Sequence, residues 1–391
     1  MRIAVFQSHP IQHFVPLWRE LARQPGVQLR VFYYSRQGVE PGLDREFNVA
    51  MAWDLDLLTG YHYEFLPRHW TTRNHLDCSW KGVNRNIGAA LAWKPDVAYV
   101  CGYIHLNNWN VVLRCKRRRI AVLYQSDSNF LADRKRPVWR HSLKRIVVGT
   151  FFRRVAVFLA CGDHNRAYLE HYGAPPNQIR YSPIPVDAAR FRAVAGGMDA
   201  AERRALRERQ GLGRDDFVAG FCGKLVSHKR PADLIKAVER AERAGMTAFY
   251  IGSGPLEPVL RKRGGPARFA GFVNQSQIPR MLALCNVLVL PSERDAHPLV
   301  VTEAQCLGLP VVLSDACGCY GPNDVFTDGE SGILYPCGDV GTLAQALAWL
   351  ADHPEECRRM GRRAATLAET QSVRVTADKF LQAARDAVSL A

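Results

Sequence analysis

The sequence predicts an α/β protein built from two doubly wound, parallel-sheet domains. Short continuous apolar runs recur along the chain, each ending in small or polar residues: RIAVFQ, VQLRVFYY, DVAYVCG, AVLYQSD and VFLACG, then DFVAGFCGKL, TAFYIGSG, RFAGFV, NVLVLPS and PVVLSD. Helical stretches separate these runs, the pattern expected when both faces of a parallel sheet are covered. A length of 391 residues also exceeds one ordinary core and suits two.

Taken in order, RIAVFQ reads as a buried first strand. It lacks the longer apolar stretch and small-residue cleavage site of a signal peptide. Pro16–Ala22 follows as an amphipathic helix, and VQLRVFYY as a β-branched and aromatic strand. The first domain is expected over residues 1–188. From about Asp187 to Asp216 the composition turns to Arg, Ala and Glu around Gly196 and Gly197, which predicts a linker followed by an exposed helix. The second domain is expected over 189–371. A last helix within 372–391, roughly Val373–Leu390, has helical apolar spacing and is expected to return to the first domain. Two such halves imply a cleft between them, with ligands beyond the carboxyl ends of the strands.

No apolar stretch reaches the roughly 20 residues that span a bilayer, so a cytoplasmic protein is expected, with peripheral attachment to the inner face of the membrane as a further expectation. The eleven cysteines fit that compartment: Cys101, Cys115, Cys222, Cys285 and Cys306 lie in apolar segments and read as small hydrophobes. Cys317 and Cys319 form a CGC with no second pair at ligand spacing, so no metal site is expected.

Charge is unevenly spread. Residues 1–190 hold 27 Lys and Arg against 14 Asp and Glu, a net +13, whereas the rest of the chain adds only +2. The excess concentrates in Arg114, Lys116, Arg117, Arg118 and Arg119, then in Arg134, Lys135, Arg136, Arg140, Lys144, Arg145, Arg153 and Arg154. Such a face attracts an anionic membrane surface, a lipid-linked diphosphate or an acidic polymer, with nucleic acid ranked last. The plain alternative is a solvated surface helix.

Two segments carry chemistry. In SERDAHPLVVTEAQCLGLPVVLSD a strand ends at Pro291 and Ser292, a polar loop holds Asp295 and His297, and a helix starts near Pro298 and contains Glu303. A proline there suits the first helical turn. Asp295 and Glu303 can face one cleft, and the amides of the helix start suit a diphosphate. In FCGKLVSHKRPADLIKAV a strand ends at Gly223, Lys224 and Lys229 follow, and a helix begins near Pro231. Two ammonium groups at such a turn would stabilise charge growing on a leaving diphosphate. Taken alone, the two lysines also read as exposed turn residues.

These segments, with SHPIQHFVPLWREL, CGDHNRAYLEHYGAP, SPIPVD before Phe191, GFVNQSQIPRMLALCNVLVLPS and DGESGILYPCGD, resemble family 4 of the retaining glycosyltransferases, which has the GT-B fold of two Rossmann-like domains facing a central cleft. The resemblance implies a metal-independent hexosyltransferase with no cofactor, taking a UDP- or GDP-sugar as co-substrate. The acceptor would be a saccharide or lipid-linked hydroxyl in cell-surface polysaccharide or glycolipid assembly. It implies that Glu303 binds the ribose hydroxyls, Asp295 lies near the donor sugar, and Lys224 and Lys229 bind the diphosphate beside Gly223 and His297. Leu299 and Val300 would offer backbone amides, and Phe272 and Val273 would lie beside the base.

Three features depart from the family pattern. Asp295 replaces the usual Glu, shortening the side chain by one methylene. Lys224 stands where many members have Arg, so a fork becomes a point charge. Ser8, His9, Pro10, Ile11 and Gln12 replace a Gly-Gly loop. For the acceptor proton the candidates are Asp127, His105, His9 and His13, with His9 and Gln12 marking the N-domain loop; each also reads as a structural or solvated residue.

Weaker matches are set aside. Gly252-Ser253-Gly254 is a lone G-x-G. Asp54-Leu55-Asp56 lies in an apolar-interleaved stretch and reads as structural. Trp70, Trp80, Trp109 and YYSRQG serve core packing at least as well as an acceptor site. Two rivals remain: a nucleotide-sugar epimerase of the same architecture and a non-catalytic polyanion-binding protein.

Overall fold

The computed structural model describes residues 1–44, 49–68, 82–131 and 138–391. The chain divides into two units. One comprises Met1–Gly42, Met51–Pro185 and Val373–Ala391; the other comprises Leu43–Ala50 and Val186–Ser372.

Chain order in the first part runs β1 (Arg2–Gln7), α1 (Val15–Arg23), β2 (Gln28–Tyr33), β3 (Gly42–Asp44), β4 (Val49–Met51), β5 (His62–Phe65), α2 (Ile87–Ala90), β6 (Val97–Cys101), α3 (Leu106–Arg118), β7 (Ala121–Ser126), α4 (Val138–Phe152), β8 (Val157–Ala160), α5 (Asp163–His171) and β9 (Ile179–Tyr181). Seven strands form a parallel sheet in the order β5-β2-β1-β6-β7-β8-β9. The buried strands are continuously apolar because neighbours on both faces exclude water from them. The chain winds outward from β1 to β5 and then restarts at β6 beside β1, so the switch of direction lies between β1 and β6.

The second part runs α6 (Ala188–Gly196), α7 (Ala200–Arg209), β10 (Phe217–Cys222), α8 (Pro231–Arg240), β11 (Met246–Ile251), α9 (Glu257–Arg263), β12 (Ala267–Gly271), α10 (Ile278–Leu282), β13 (Val287–Leu290), α11 (Leu299–Gln305), β14 (Val311–Ser314), β15 (Gly332–Tyr335), α12 (Val340–Asp352), α13 (Pro354–Glu369) and α14 (Val373–Ser389). Its parallel sheet has the order β12-β11-β10-β13-β14-β15, with the switch between β10 and β13. α14 belongs to the first unit, where it packs on α1 with Phe380 edge-on to Trp18 at 6.0 Å.

Three results differ from the sequence reading. The start of the segment after Asp187 is no linker: α6 caps on the Asp187 carboxylate, and the exposed helix expected after it, α7, caps on a reciprocal Asp199–Glu202 box, both in the second unit. β5, β9 and β15 extend the sheets beyond the predicted runs. They are edge strands and partly exposed, so their sequences need not be the continuous apolar runs of a strand buried on both faces. Lys144 departs from the expected basic face, its ammonium lying over the rings of Tyr168 and Tyr172. Arg134, Lys135, Arg136, Trp70 and Trp80 lie outside the described residues, as does the Arg140 side chain. Among the described residues no helix is long and apolar enough to cross a membrane.

Candidate functional site

In the second unit every predicted donor residue follows the carboxyl end of a strand or lies on the helix just after. Gly223, Lys224 and Lys229 follow β10, Phe272 and Val273 follow β12, and Asp295 and His297 follow β13; Leu299, Val300 and Glu303 lie on α11. The carboxyl edge at a switch point is where open α/β sheets leave a crevice.

The loops at this edge are stitched together by backbone contacts. Gly223 N–H donates to Ile251 O at 2.9 Å, Leu225 N–H to Ser253 O at 2.9 Å, and Gly252 N–H to Gly271 O at 2.8 Å. Gly252 and Gly254 permit this closeness. A Cβ on Gly252 would stand 2.1 Å from Gly223 O, and one on Gly254 would stand 2.7–2.9 Å from the Leu225 backbone. The G-x-G is therefore a backbone-to-backbone seam under the loop that carries Lys224.

Across the switch point, the Lys229 ammonium donates to the Asp295 carboxylate, and both side chains are largely buried. Asp295 is also held by its main chain, its carbonyl accepting from Gly318 N–H at 2.9 Å. An ammonium has three donors, so Lys229 can keep Asp295 and still meet a phosphate oxygen. Arg230 beside it bonds Asp233 at 2.6 Å and lies 3.9 Å from Glu293. Lys224 is half-buried in the same loop, its carbonyl accepting from Val226 N–H at 3.0 Å.

α11 starts at Leu299, so the amides of Leu299 and Val300 fall in the first turn, where no intrahelical carbonyl is in register. The rest of the helix is buried from Val301 to Gln305. Its polar residues are anchored: Thr302 Oγ1 bonds Gln371 Oε1 at 3.2 Å, and Gln305 Nε2 bonds Val325 O at 2.9 Å. Glu303 between them is buried, and desolvation pushes its carboxyl up to about 7 against the pull of the Arg190 guanidinium. His297 is buried too, and among the described residues its Nδ1 has no hydrogen-bond partner. Burial pushes it down to about 4, against the opposing pulls of Asp295 and the Gly318 backbone, so the imidazole is neutral.

The two halves of the site sense one another. Burial and then the Glu303 carboxylate push the Cys222 thiol up, while the Lys229 ammonium pulls it down. Cys222 ends β10, so the lysine, the aspartate and the glutamate share one neighbourhood at the edge of one sheet. Phe272 and Val273 are half-buried in the loop after β12, and Val273 packs on the core cluster that includes Val301 and Ala304 of α11.

Arg190 was missed in the sequence. It sits on α6, bonds Gln275 O at 2.9 Å in the loop after β12, and opposes the Glu303 charge. The one local signal was its place beside Phe191, after SPIPVD; its partner is far off in sequence.

In the first unit, His9 follows β1 and His105 immediately precedes α3 after β6, so the two flank that unit's switch point. Ser8 Oγ lies 2.9 Å from His9 Nδ1, and burial, then His105, push His9 down to about 4. Gln12 reaches His13 at 3.4 Å. Asp127 stands exposed after β7. Asp56 accepts from the amides of Leu58 and Thr59 and pairs with Arg19, a turn-forming role. Trp109 bonds Tyr103 O at 2.9 Å and packs on Phe151.

Residues 202–367 match the family described as Glycosyl transferases group 1. The D-inositol 3-phosphate glycosyltransferase of Streptomyces scabiei is 31% identical over 239 residues, 56% of this chain and 52% of that one. The alpha-D-kanosaminyltransferase of Streptomyces kanamyceticus is 31% identical over 175 residues, 43% of this chain and 44% of that one. The chain thus spans about half the length of the curated relatives it matches. Among solved structures, HepE of Anabaena in complex with UDP superposes with a TM-score of 0.73 at 15% identity, covering 98% of this chain and 99% of that one. Sucrose-phosphate synthase of Thermosynechococcus elongatus gives 0.72 at 16% identity, covering 98% of each. These likenesses establish the α/β fold with two Rossmann-like domains.

Proposed function

We propose that this chain is a glycosyltransferase that moves a sugar from a nucleoside-diphosphate donor, a UDP- or GDP-sugar, to a hydroxyl acceptor with retention of anomeric configuration. The observation that carries the reading is the Lys229–Asp295 pair across the switch between β10 and β13, with buried Glu303 one element away. The family match over 202–367 contains all of these residues. UDP in the HepE structure favours uridine as the base.

In this mechanism Lys224, Lys229 and the first-turn amides of α11 take the diphosphate oxygens. Their positive potential stabilises the charge that grows as the bond from the anomeric carbon to the phosphate oxygen breaks. Glu303 holds the ribose hydroxyls, and Asp295 orients the sugar. The anomeric carbon passes through an oxocarbenium-like state. The acceptor oxygen bonds to it from the leaving-group side, and its proton passes to a diphosphate oxygen. No metal enters the scheme. A saccharide or lipid-linked acceptor, in polysaccharide or glycolipid assembly, fits the basic first unit.

A thermal-shift panel of uridine, guanosine and adenosine diphosphate sugars, followed by assay of nucleoside diphosphate release, tests this. The expected result is stabilisation by one base class and transfer lost in Glu303→Ala. Wild-type rates in that variant, or epimerisation of free donor without acceptor, would overturn the reading.

A further inference from the structure

We propose that the outer faces of α3 and α4 in the first unit form a docking surface for an anionic lipid bilayer, in which Leu113, Ile146 and Val147 enter the headgroup region among lysines and arginines that bind lipid phosphates.

The two helices are neighbours on one side of the sheet, since Trp109 on α3 meets Phe151 on α4 edge-on at 5.0 Å. Their inner rows, Val111, Val112 and Cys115 on one and Val148, Phe151 and Phe152 on the other, fill the core. Helical geometry then turns Leu113 and Ile146 outward. Leu113 is 40% exposed, Ile146 67% and Val147 44%. With Ile104 and Leu106 at the start of α3, this region holds half of the large apolar side chains that stand exposed among the described residues. Single exposed apolar residues are ordinary; a cluster marks an interaction surface.

The charge carried by these two helices has one sign. Neither α3 nor α4 contains an Asp or Glu. Lys116 and Arg117 stand exposed within one turn of Leu113, and Arg145 stands exposed beside Ile146. Apolar side chains projecting among cations are the composition of an interfacial helix face. A nucleic acid offers phosphates to the cations but nothing in which the aliphatic side chains can bury, so the bilayer is the better complement. This docking is independent of the transfer reading.

The test is co-sedimentation of the full chain with vesicles of equal parts phosphatidylglycerol and phosphatidylcholine, against pure phosphatidylcholine. Binding is expected to the first only and to fall with added salt. Lys116→Gln with Arg117→Gln should weaken it by about 30-fold, at roughly fivefold per charge removed near an anionic surface. Ile146→Ser with Val147→Ser should weaken vesicle binding and leave retention on duplex DNA unchanged. Melting of both variants with and without uridine diphosphate reports folding and donor binding, which should match wild type. Equal binding to both vesicle types, no effect of the serine pair, or tighter binding to DNA than to vesicles would each overturn the proposal.

Discussion

Lys229 and Asp295 meet across the switch point of the second sheet, the ammonium from the loop after β10 and the carboxylate from the loop after β13. Each charge is held by a different strand, so the pair locks the two loops between which the sheet opens. On the proposed function, a diphosphate would meet a cation already placed, with its ordering entropy lost on folding rather than on binding.

Lys229→Met should therefore weaken nucleoside diphosphate binding about tenfold or more while leaving affinity for the bare nucleoside unchanged. It also leaves a largely buried carboxylate alone, so stability should fall by about 1–2 kcal/mol. Titration calorimetry with uridine and uridine diphosphate, alongside urea denaturation, checks both outcomes. Equal losses for the two ligands would show that the lysine does not read phosphate.

Glu303 should make the ligand-free protein less stable as pH rises. Burial pushes its carboxyl up to about 7, above the ordinary 4.5. Between those values the unfolded chain releases the proton and the folded chain keeps it, so stability is full below pH 4.5 and declines through pH 7. The loss is about 3 kcal/mol by linkage. Glu303→Gln should remove this slope in denaturant midpoints at pH 5 and 8. If the ribose hydroxyls bind the carboxylate form, nucleotide affinity should rise through pH 7 in the wild type and stay flat in the variant.

Arg190 holds that carboxyl down. Arg190→Met should move the midpoint of the nucleotide-affinity profile to higher pH while leaving the high-pH plateau near wild type. A lowered plateau with an unmoved midpoint would make Arg190 a direct ligand contact instead.

His297 acts with the opposite sign. Burial pushes its imidazole down to about 4, below the ordinary 6.5. The stability that neutral His297 contributes is present above pH 6.5 and lost as pH falls toward 4, again about 3 kcal/mol. His297→Leu should resist acid better than wild type in urea melts at pH 7 and 4.5. Between pH 4.5 and 6.5 the Glu303 and His297 slopes oppose one another, so the two variants should diverge in opposite directions.

Gly252→Ala should cost about 3 kcal/mol or more, because its Cβ meets the Gly223 carbonyl and its φ is +136°. Gly271→Ala, at φ +71° with open space around it, should cost only about 1–2 kcal/mol. Thermal melts of the two variants separate backbone strain from steric conflict at the seam.

The sheet strands were legible because a strand covered on both faces must be apolar throughout, as VLVL in β13 is. Edge strands such as β5 and the capped helix α6 were not, since a partly exposed edge strand is not continuously apolar and the Arg- and Ala-rich α6 resembles a linker. The site was legible as residue types at loop positions: lysines after β10, carboxylates after β13 and on α11. Arg190 and the glycine seam were not, because each is defined by a partner in another segment.

The order of amino acids alone determined the alternation of strand and helix, and hence that these loops share one sheet edge, because burial of both sheet faces is written directly into the apolar runs. Only the tertiary structure decided that Lys229 pairs with Asp295, that Glu303 titrates near neutrality and that His297 stays uncharged. Ion pairing and proton affinity depend on local dielectric and on charges brought from distant segments, and neither exists until the chain has packed.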